Sequence, residues 1–520
     1  MEISGTVAEA QVEGSGGTPP LRGRIHLIPG RVQYAIYAVA LAVSISLWFI
    51  AIRAPLWLDE TGSFWQINAG FSGISSRQGL SFAAYSYILW LWTKVAGTGE
   101  IALRVSSILA MLGAVYLLYR AARELFDRDK DKDVAIIAAI VFCLHPVVIF
   151  ASIDVRPYAF GALAINASIL ALVRLRHKNT NWLAALFGVL AACIVYFHFL
   201  LIVILPALAL CFIALKIGDR KALWRQGAVA LAAFALAFLP VIPGLLYMFH
   251  TSGDHVFDVA PKLVDLLLTL APGWLAYIFG GAVLVAAATR RLDLQSHLKG
   301  RPILLCASLA LVPILILYGV SVGTSLHVFV PRYRLAAVPG IALCWAFLVS
   351  RIDSRALRLL FCIVLVATAA YPYFSSPLSK RHEYTWKYAL EFVEKNASAD
   401  GAPVLICSDL PEADHMPMPA GAAVKDSPLF APLAYYKLSV PVVGMPRALN
   451  DEAIRIGSSF LQDVARRRER FLAVGFVPSV GTLKWVMQNA AGTHDVRALG
   501  IFDGIVVLEF TPRAEADAGR

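Results

Sequence analysis

The sequence is short of charge and of the motifs that hold metals or nucleotides. Only 16% of its 520 residues are Asp, Glu, Lys or Arg, against 58% that are hydrophobic, which excludes a water-soluble enzyme of this length. Its seven cysteines form no CxxC pair and no His-rich run accompanies them, so neither a zinc site nor a disulfide framework is indicated. No GxGxxG fingerprint is present, and no internal repeat is evident, which disfavours transporters built from inverted repeats.

Long apolar runs take the place of these features. The mean hydropathy is +0.67, and apolar runs separated by charged breaks recur over residues 34–374. A helix needs roughly 20 apolar residues to cross the hydrocarbon core of a bilayer. The sequence therefore predicts an α-helical polytopic membrane protein. Its first run, residues 34–52, is expected to stay as a span because no small-residue cleavage site follows it.

The positions of the basic residues predict how the spans are oriented. Six short basic segments should lie in the cytoplasm by the positive-inside rule. They are residues 22–31, 120–132, 174–178, 216–225, 290–301 and 351–358. An even number of crossings between successive segments gives about eleven spans, with the N-terminus cytoplasmic and the C-terminus outside. The short, Trp- and Tyr-rich stretch 82–95 is then placed flat on the outer surface, and twelve or thirteen spans is the alternative.

The composition changes to that of a soluble domain from residue 375 onward. Helical patterns at 384–394, 429–438, 451–470 and 481–490 alternate with strand-like runs at 403–407, 471–474 and 501–510. This alternation predicts a small extracytoplasmic α/β domain. We therefore expect a cytoplasmic tail over 1–32, a transmembrane domain over 33–374 with its first outer loop at 54–100, and a soluble domain over 375–520. Because eukaryotic retention signals are lacking, a bacterial inner membrane is the expected location.

Ionisable residues gather at the predicted outer ends of the spans. Such groups are costly unless they are solvated or paired, so their convergence suggests a site, although each could simply hydrate a helix end. Asp59 and Glu60 directly follow the first span, between interfacial tryptophans. Adjacent residues on a helix point roughly 100° apart, so the two carboxylates should have different duties. One could act as a general base while the other orients it or holds a cation.

Three further motifs fall at the same predicted face. They are Asp154-Val-Arg156-Pro-Tyr158, Tyr196-Phe-His198 and Val330-Pro-Arg332-Tyr333-Arg334. Arg156, close to lipid headgroups, is a natural clamp for a phosphate, or else it forms a local ion pair with Asp154. His198 could serve a site or merely mark the turn in a run too long for one span. Arg332 would neutralise a lipid phosphate well, but arginines also snorkel at span ends.

Taken in order, these motifs resemble the GT-C glycosyltransferases of the protein-mannosyltransferase and lipid A aminoarabinose-transferase type. The resemblance covers residues 30–350. It is carried by Asp59-Glu60, Trp90-Leu-Trp-Thr-Lys-Val-Ala-Gly97 leading to Ala102-Leu-Arg104-Val-Ser-Ser107, Cys143-Leu-His-Pro146 through Arg156-Pro-Tyr158-Ala-Phe, Tyr196-Phe-His198 and Pro331-Arg-Tyr333. The sequence departs from the family at His145, where a small residue is more usual.

The resemblance implies a hexosyl- or pentosyltransferase that uses a polyprenyl-phosphate-linked sugar. It implies a glycan, lipid or protein acceptor reached from the non-cytoplasmic side, membrane lipids as neighbours, and no nucleic acid. Asp59 is expected to be the general base of one inverting step. The other expected site residues are Glu60 as a second catalytic carboxylate, Arg332, Arg156, Arg104 and Tyr333 at the donor phosphate, and His198, Tyr158 and Asp154 at the substrate. No cofactor is expected, and a divalent metal at Asp59, Glu60 and a neighbouring His is an alternative that is not indicated, because a hard cation usually needs more oxygen ligands than these residues supply.

Two other classes compete with this hypothesis. A lipid-linked-glycan polymerase or ligase is also multi-span and arginine-dependent, but it typically places its key charges in one large outer loop. A transporter or flippase would carry charges near the bilayer midplane. Here the acidic pair lies in the first outer loop and nearly all charges lie at span ends.

Overall fold

The computed structural model describes residues 30–75, 83–126, 132–250, 260–270, 273–289, 301–375, 385–407, 427–446, 448–476 and 480–514. Residues 1–29 of the predicted tail, 76–82 of the predicted outer loop and 290–300 of one basic segment lie outside the described residues. The described helices of the membrane region are α1 (Gly30–Ser46), α2 (Leu58–Asn68), α3 (Gly70–Gly73), α4 (Ala83–Ala96), α5 (Glu100–Leu125), α6 (Lys132–Leu144), α7 (Pro146–Ser152), α8 (Tyr158–His177), α9 (Asn181–Phe197), α10 (Leu205–Lys216), α11 (Arg220–Phe238), α12 (Ile242–His250), α13 (Leu263–Leu270), α14 (Gly273–Ala288), α15 (Arg301–Gly323), α16 (Val338–Ser350) and α17 (Arg355–Ser375).

The number of membrane-length helices agrees with the predicted fold class. Within the described residues, eight helical segments are long and apolar enough to cross a membrane, and two bent helix pairs pass the same test. The shorter apolar helix α9 brings the candidates to eleven. Helix α4 is not among them, because its 14 residues reach only about 21 Å at about 1.5 Å per residue. It packs against α2, α5 and α9.

Residues 135–153 are almost entirely apolar and long enough for one span, but in the structure they belong to two helices. Helices α6 and α7 meet at an angle of 70° between Leu144 and Pro146. Proline cannot donate the backbone hydrogen bond that would continue α6, so a new helix starts at Pro146. The Nδ1 atom of His145 caps this helix by accepting from the Val147 N–H at 3.3 Å. The bend brings α7 against the 3-10 helix Pro331–Ala337, which carries Arg332.

Two glycines let neighbouring helices pack backbone to backbone. A Cβ atom at Gly188 would lie 2.1 Å from the carbonyl oxygen of Ala230, and one at Gly340 would lie 2.3 Å from the backbone nitrogen of Ala310. Only glycine therefore fits where α9 meets α11 and where α15 meets α16. These close contacts stabilise the bundle without a hydrophobic driving force between helices in lipid.

The C-terminal region, called the sheet domain below, is a five-stranded mixed sheet with helices on both faces. Its elements are α18 (Lys387–Ala397), β1 (Val404–Cys407), α19 (Ala431–Tyr435), β2 (Val442–Met445), α20 (Asp451–Arg467), β3 (Phe471–Phe476), α21 (Val480–Ala490), β4 (His494–Phe502) and β5 (Ile505–Pro512). The strand order is β2-β1-β3-β5-β4. Strand β1 runs parallel to β2 and β3, and β5 runs antiparallel to β3 and β4. The predicted α/β character is confirmed.

Two details of the predicted sheet are wrong. Residues 501–510 are not one strand, because Asp503 and Gly504 form the turn of a hairpin between β4 and β5, with φ of 46° and 84°. An Asp-Gly pair favours such a turn, but apolar residues on both sides conceal it as a continuous run. Strand β2 is missed, since its four residues are too few to show a period.

Candidate active site

Helix α2 begins directly after the first span and presents both acidic residues in its first turn. The Trp57 residue before it is extended, with φ −84° and ψ 175°, and its carbonyl accepts the Thr61 N–H at 3.0 Å. The side chain of Glu60 reaches back to accept the Trp57 N–H at 3.2 Å. Carboxylates are favoured at a helix N-terminus by the exposed N–H groups there. The contacts of Trp57 with Thr61 and Glu60 therefore determine where α2 starts and where Asp59 lies.

Glu60 forms a fully buried ion pair with Arg104 of α5. An Oε2 atom of Glu60 lies 2.7 Å from Nη2 of Arg104, and Oε1 accepts the Val155 N–H at 2.9 Å. Arg104 also donates to the backbone carbonyls of Ile52, Ala54 and Pro55. The ion pair and its hydrogen bonds thus connect α2 and α5 with the loop before α2 and the loop before α8. Both side chains are fully buried, and their predicted roles at the donor phosphate and in catalysis stay predictions.

Asp59 points elsewhere and meets two arginines that are distant along the chain. Its Oδ2 atom lies 3.2 Å from Nη1 of Arg332 and 3.9 Å from Nη2 of Arg156. The three side chains keep 21%, 30% and 12% of their surface exposed, respectively. Burial opposes the charge on Arg156, but Asp59 together with Tyr158 and Asp154 outweighs it, and the pKa of this guanidinium is raised above its usual value.

Both arginines have donor capacity left over. The Nε atoms of Arg156 and Arg332 are buried and have no hydrogen-bond partner among the described residues. A buried N–H without a partner costs free energy that a bound acceptor would recover. A phosphate oxygen is such an acceptor.

Aromatic rings form a wall beside this charged group. The ring of His198 lies 5.2 Å from that of Tyr158 and 5.1 Å from that of Tyr333, centroid to centroid. The guanidinium of Arg332 lies 5.3 Å from the Tyr333 centroid. The Tyr158 hydroxyl is buried, with no hydrogen-bond partner in the described part of the chain.

His198 also marks the turn between two spans, which was the alternative interpretation of the sequence. Its Nδ1 atom accepts the Leu200 N–H at 3.3 Å and so caps the 3-10 helix Phe199–Ile204. Burial, and then the positive charges of Arg156 and Arg332, hold the pKa of His198 well below its usual range. The imidazole is therefore neutral and acts as an aromatic wall and a cap.

Asp154 holds parts of the fold together. Its Oδ1 atom accepts the indole N–H of Trp57 at 2.9 Å, and its backbone carbonyl accepts the Ser107 hydroxyl at 2.6 Å. The side chain is fully buried. The predicted substrate contact of Asp154 stays a prediction, and Trp57, which follows the first span, is a structural partner of Asp154.

One residue close to the site comes from the sheet domain and was not among the predicted site residues. The hydroxyl of Tyr436 accepts the Leu56 N–H at 2.7 Å, three residues before Asp59, and donates to Glu100 at 2.9 Å. Nearby, the ring of Tyr435 packs edge-on against Phe64 of α2, with centroids 4.9 Å apart. Nothing in the local sequence around Tyr436 signals this contact, because its partners lie over 300 residues earlier.

Known proteins share this architecture. Residues 83–247 match the family model of dolichyl-phosphate-mannose-protein mannosyltransferase. The crystal structure of ArnT from Cupriavidus metallidurans bound to undecaprenyl phosphate is similar, with a TM-score of 0.55 and 12% identity over 95% of this chain and 100% of that one. The apo structure of the same ArnT gives 0.55 and 12% over 92% and 98%.

The similarity to an archaeal structure is weaker, and the comparison with curated proteins found no match. The apo oligosaccharyltransferase of Archaeoglobus fulgidus has a TM-score of 0.46 and 13% identity over 94% of this chain and 75% of that one. No curated protein matches the sequence. The chain therefore has the GT-C fold seen in ArnT, with membrane-length helices, and its residues 83–247 resemble the mannosyltransferase family model.

Proposed function

We propose that the chain transfers a sugar from a polyprenyl-phosphate donor to an acceptor hydroxyl, with inversion at the anomeric carbon, on the non-cytoplasmic side of a bacterial inner membrane. The observation that carries the proposal is the contact of Asp59 with Arg332 and Arg156, at 3.2 and 3.9 Å. The undecaprenyl phosphate bound to the similar ArnT supports this class of donor.

The charges account for how donor binding would prepare the reaction. Without donor, Asp59 is the counter-ion of the two arginines. A sugar phosphodiester brings its own negative charge, which satisfies Arg332 and Arg156 and leaves the Asp59 carboxylate available as a base. Guanidinium groups bind phosphate oxygens through paired N–H donors, so the exchange of partners keeps every charge compensated.

One displacement then completes the transfer. The acceptor oxygen forms a bond to the anomeric carbon while its proton passes to Asp59. The bond between that carbon and the phosphate oxygen breaks, and its electron pair leaves with the polyprenyl phosphate. Negative charge builds on the leaving phosphate, where two fixed guanidinium groups stabilise it in the transition state. Asp59 afterwards returns its proton to water.

The aromatic wall supports a place for the sugar. Tyr158 and Tyr333 flank the neutral ring of His198 next to Arg332. A sugar presents apolar C–H faces to aromatic rings and hydroxyls to polar partners. The buried Tyr158 hydroxyl, which has no partner among the described residues, would supply such a hydrogen bond.

The test measures sugar release from a synthetic polyprenyl-phosphate donor by the reconstituted protein. We expect Asp59→Asn to lower the rate by roughly 10²–10⁴-fold, because the amide cannot accept the proton. The matched control is Asp353→Asn, at an exposed loop between α16 and α17 on the far end of α16 from Arg332. It should leave the rate unchanged. A folded Asp59→Asn protein with full activity would exclude Asp59 as the base.

The same assay separates the competing classes. A transporter or flippase would move the intact donor across the vesicle without releasing polyprenyl phosphate. A polymerase or ligase would act on a lipid-linked glycan and leave the monosaccharide donor unused. Release of polyprenyl phosphate with transfer of one sugar supports the proposal.

A further inference from the structure

A separate cavity lies at the opposite end of the helices from Asp59. It measures about 1060 Å³ and lies between the C-terminal ends of α5 and α8 and the start of α9. Helix α8 has 20 residues; it starts beside the active site at Tyr158 and reaches the cavity at His177. At about 1.5 Å per residue the two sites are roughly 30 Å apart.

The lining of this cavity is strongly basic. Four cationic side chains face one carboxylate, that of Glu124. The cationic residues are Arg120, Arg123, Arg174 and Lys178. Glu124 lies 3.1 Å from Arg174 and 3.6 Å from Arg120, so it orders these two. Among the described residues neither Arg123 nor Lys178 has a carboxylate partner.

The partial charges at the helix ends do not neutralise the basic side chains of this cavity. Each helix C-terminus carries roughly half a negative charge, so the ends of α5 and α8 offset only about one of three excess positive charges. The N-terminus of α9 lies at the same cavity and adds positive potential rather than removing it. Counted over the described residues, the lining of the cavity therefore has an excess of positive charge that suits an anion.

Exposed aromatic residues place the cavity at the level of lipid headgroups. Tyr116 is 55% exposed and Trp182 is 71% exposed, and both line the cavity. The Tyr116 hydroxyl also accepts a hydrogen bond from Arg120 at 2.8 Å. Trp and Tyr collect where membrane helices meet the aqueous phase, with the ring body in the acyl region and the polar edge among headgroups. An anion at this depth comes from the bilayer.

We propose that this cavity binds the phosphate of an anionic phospholipid headgroup. Arg123 and Lys178 contact the phosphate, while Arg120 and Arg174, held in place by Glu124, flank it. Basic pockets between membrane helices recognise headgroups in this way, because the lipid supplies the phosphate at high local concentration. The site is independent of the sugar-transfer chemistry.

Thermal unfolding in detergent tests the proposal, with dioctanoyl phosphatidylglycerol as the probe. A ligand that binds only the folded protein raises Tm, here by roughly 2 °C or more. We expect the rise in wild type and its loss in Arg123→Gln/Lys178→Gln. The control Arg176→Gln/Lys221→Gln removes the same charges from exposed positions outside the cavity and should keep the rise.

Two further ligands identify the source of the anion. Dioctanoyl phosphatidylcholine, which is zwitterionic, should give a smaller rise, and inorganic phosphate should give little. An equal rise with phosphatidylcholine or a full rise with phosphate would overturn the proposal, as would a rise that survives in Arg123→Gln/Lys178→Gln. If that double variant does not fold, Arg123→Gln alone should show a reduced rise, and an undiminished rise contradicts the site.

Discussion

At the residue scale, the adjacent carboxylates of Asp59 and Glu60 have different roles, and the buried Glu60 stabilises the fold. Replacing Glu60 by Gln leaves Arg104 as a buried charge without its anion. Removing one partner of a buried pair costs about 3–5 kcal/mol, so we expect a clear fall in Tm and in the yield of folded protein. Glu452→Gln is the control, because Glu452 pairs with Arg455 at an exposed position where about 0–1 kcal/mol is at stake. Unchanged unfolding of Glu60→Gln would contradict this role.

His198 makes the stability depend on pH. An unfolded histidine has a pKa near 6.5, whereas the folded-state pKa of His198 is well below its usual range, first through burial and then through Arg156 and Arg332. Below about pH 6.5 the unfolded chain therefore binds a proton that the folded chain does not. The free energy of unfolding should fall as the pH falls from 6.5 toward the folded-state pKa, by up to about 1.4 kcal/mol per pH unit.

The measurement compares Tm between pH 7.5 and 5 for wild type and His198→Phe. Every other histidine is common to both proteins, so the difference between the two profiles belongs to His198. Phe keeps an aromatic ring beside Tyr158 and Tyr333 and cannot be protonated. We expect wild type to lose more stability at low pH. Parallel profiles would be inconsistent with a depressed pKa.

The sequence predicts part of this residue-level arrangement. Topology places Asp59, Arg156 and Arg332 at the same face, and the structure brings them within 4 Å. The same reasoning places Arg104 at that face too, whereas in the structure its guanidinium is buried against Glu60. Position at a span end does not reveal whether a guanidinium faces solvent or packs against backbone carbonyls, which depends on tertiary contacts.

At the scale of elements, the loop before α2 is held by a hydroxyl from the sheet domain. Tyr436→Phe removes the acceptor of the Leu56 N–H and the donor to Glu100, while the ring and its packing remain. A buried N–H without a partner costs about 1–3 kcal/mol, and the start of α2 should shift relative to Arg332. We expect a roughly tenfold lower rate of sugar transfer.

The neighbouring tyrosine supplies the control. In Tyr435→Phe the lost hydroxyl bond goes to the exposed Thr98 carbonyl, which water can satisfy instead. Sugar transfer should be nearly unchanged in this variant. Equal rates for both variants would show that the Tyr436 hydroxyl does not position α2.

Elements are predicted well where one periodicity extends over many residues. The lengths of the apolar runs, together with the loop charges, predict about eleven spans, because a helix needs a minimum apolar length to cross the bilayer. The 70° bend before Pro146 is missed because apolar residues continue through it. The β4–β5 hairpin is missed for the same reason, since only the Asp503-Gly504 pair interrupts it.

At the scale of the whole molecule, the helices separate two charged sites. The Asp59 group lies at one end, and the basic cavity around Arg123 and Lys178 lies at the other. The positive-inside rule anticipates an excess of basic residues at the cavity end, but not that they enclose a space. The packing of the sheet domain on α2 also has no sequence signal, because contacts across hundreds of residues leave no local pattern.

The bond from Leu56 to Tyr436 joins residues 380 positions apart, and this orders events during synthesis. Ribosomes deliver the polypeptide from its N-terminus, so the helical bundle enters the lipid while Tyr436 is still untranslated. Until that tyrosine emerges and docks, the loop before α2 lacks the acceptor of the Leu56 N–H. The contact that positions the start of α2 is therefore made only near the end of translation.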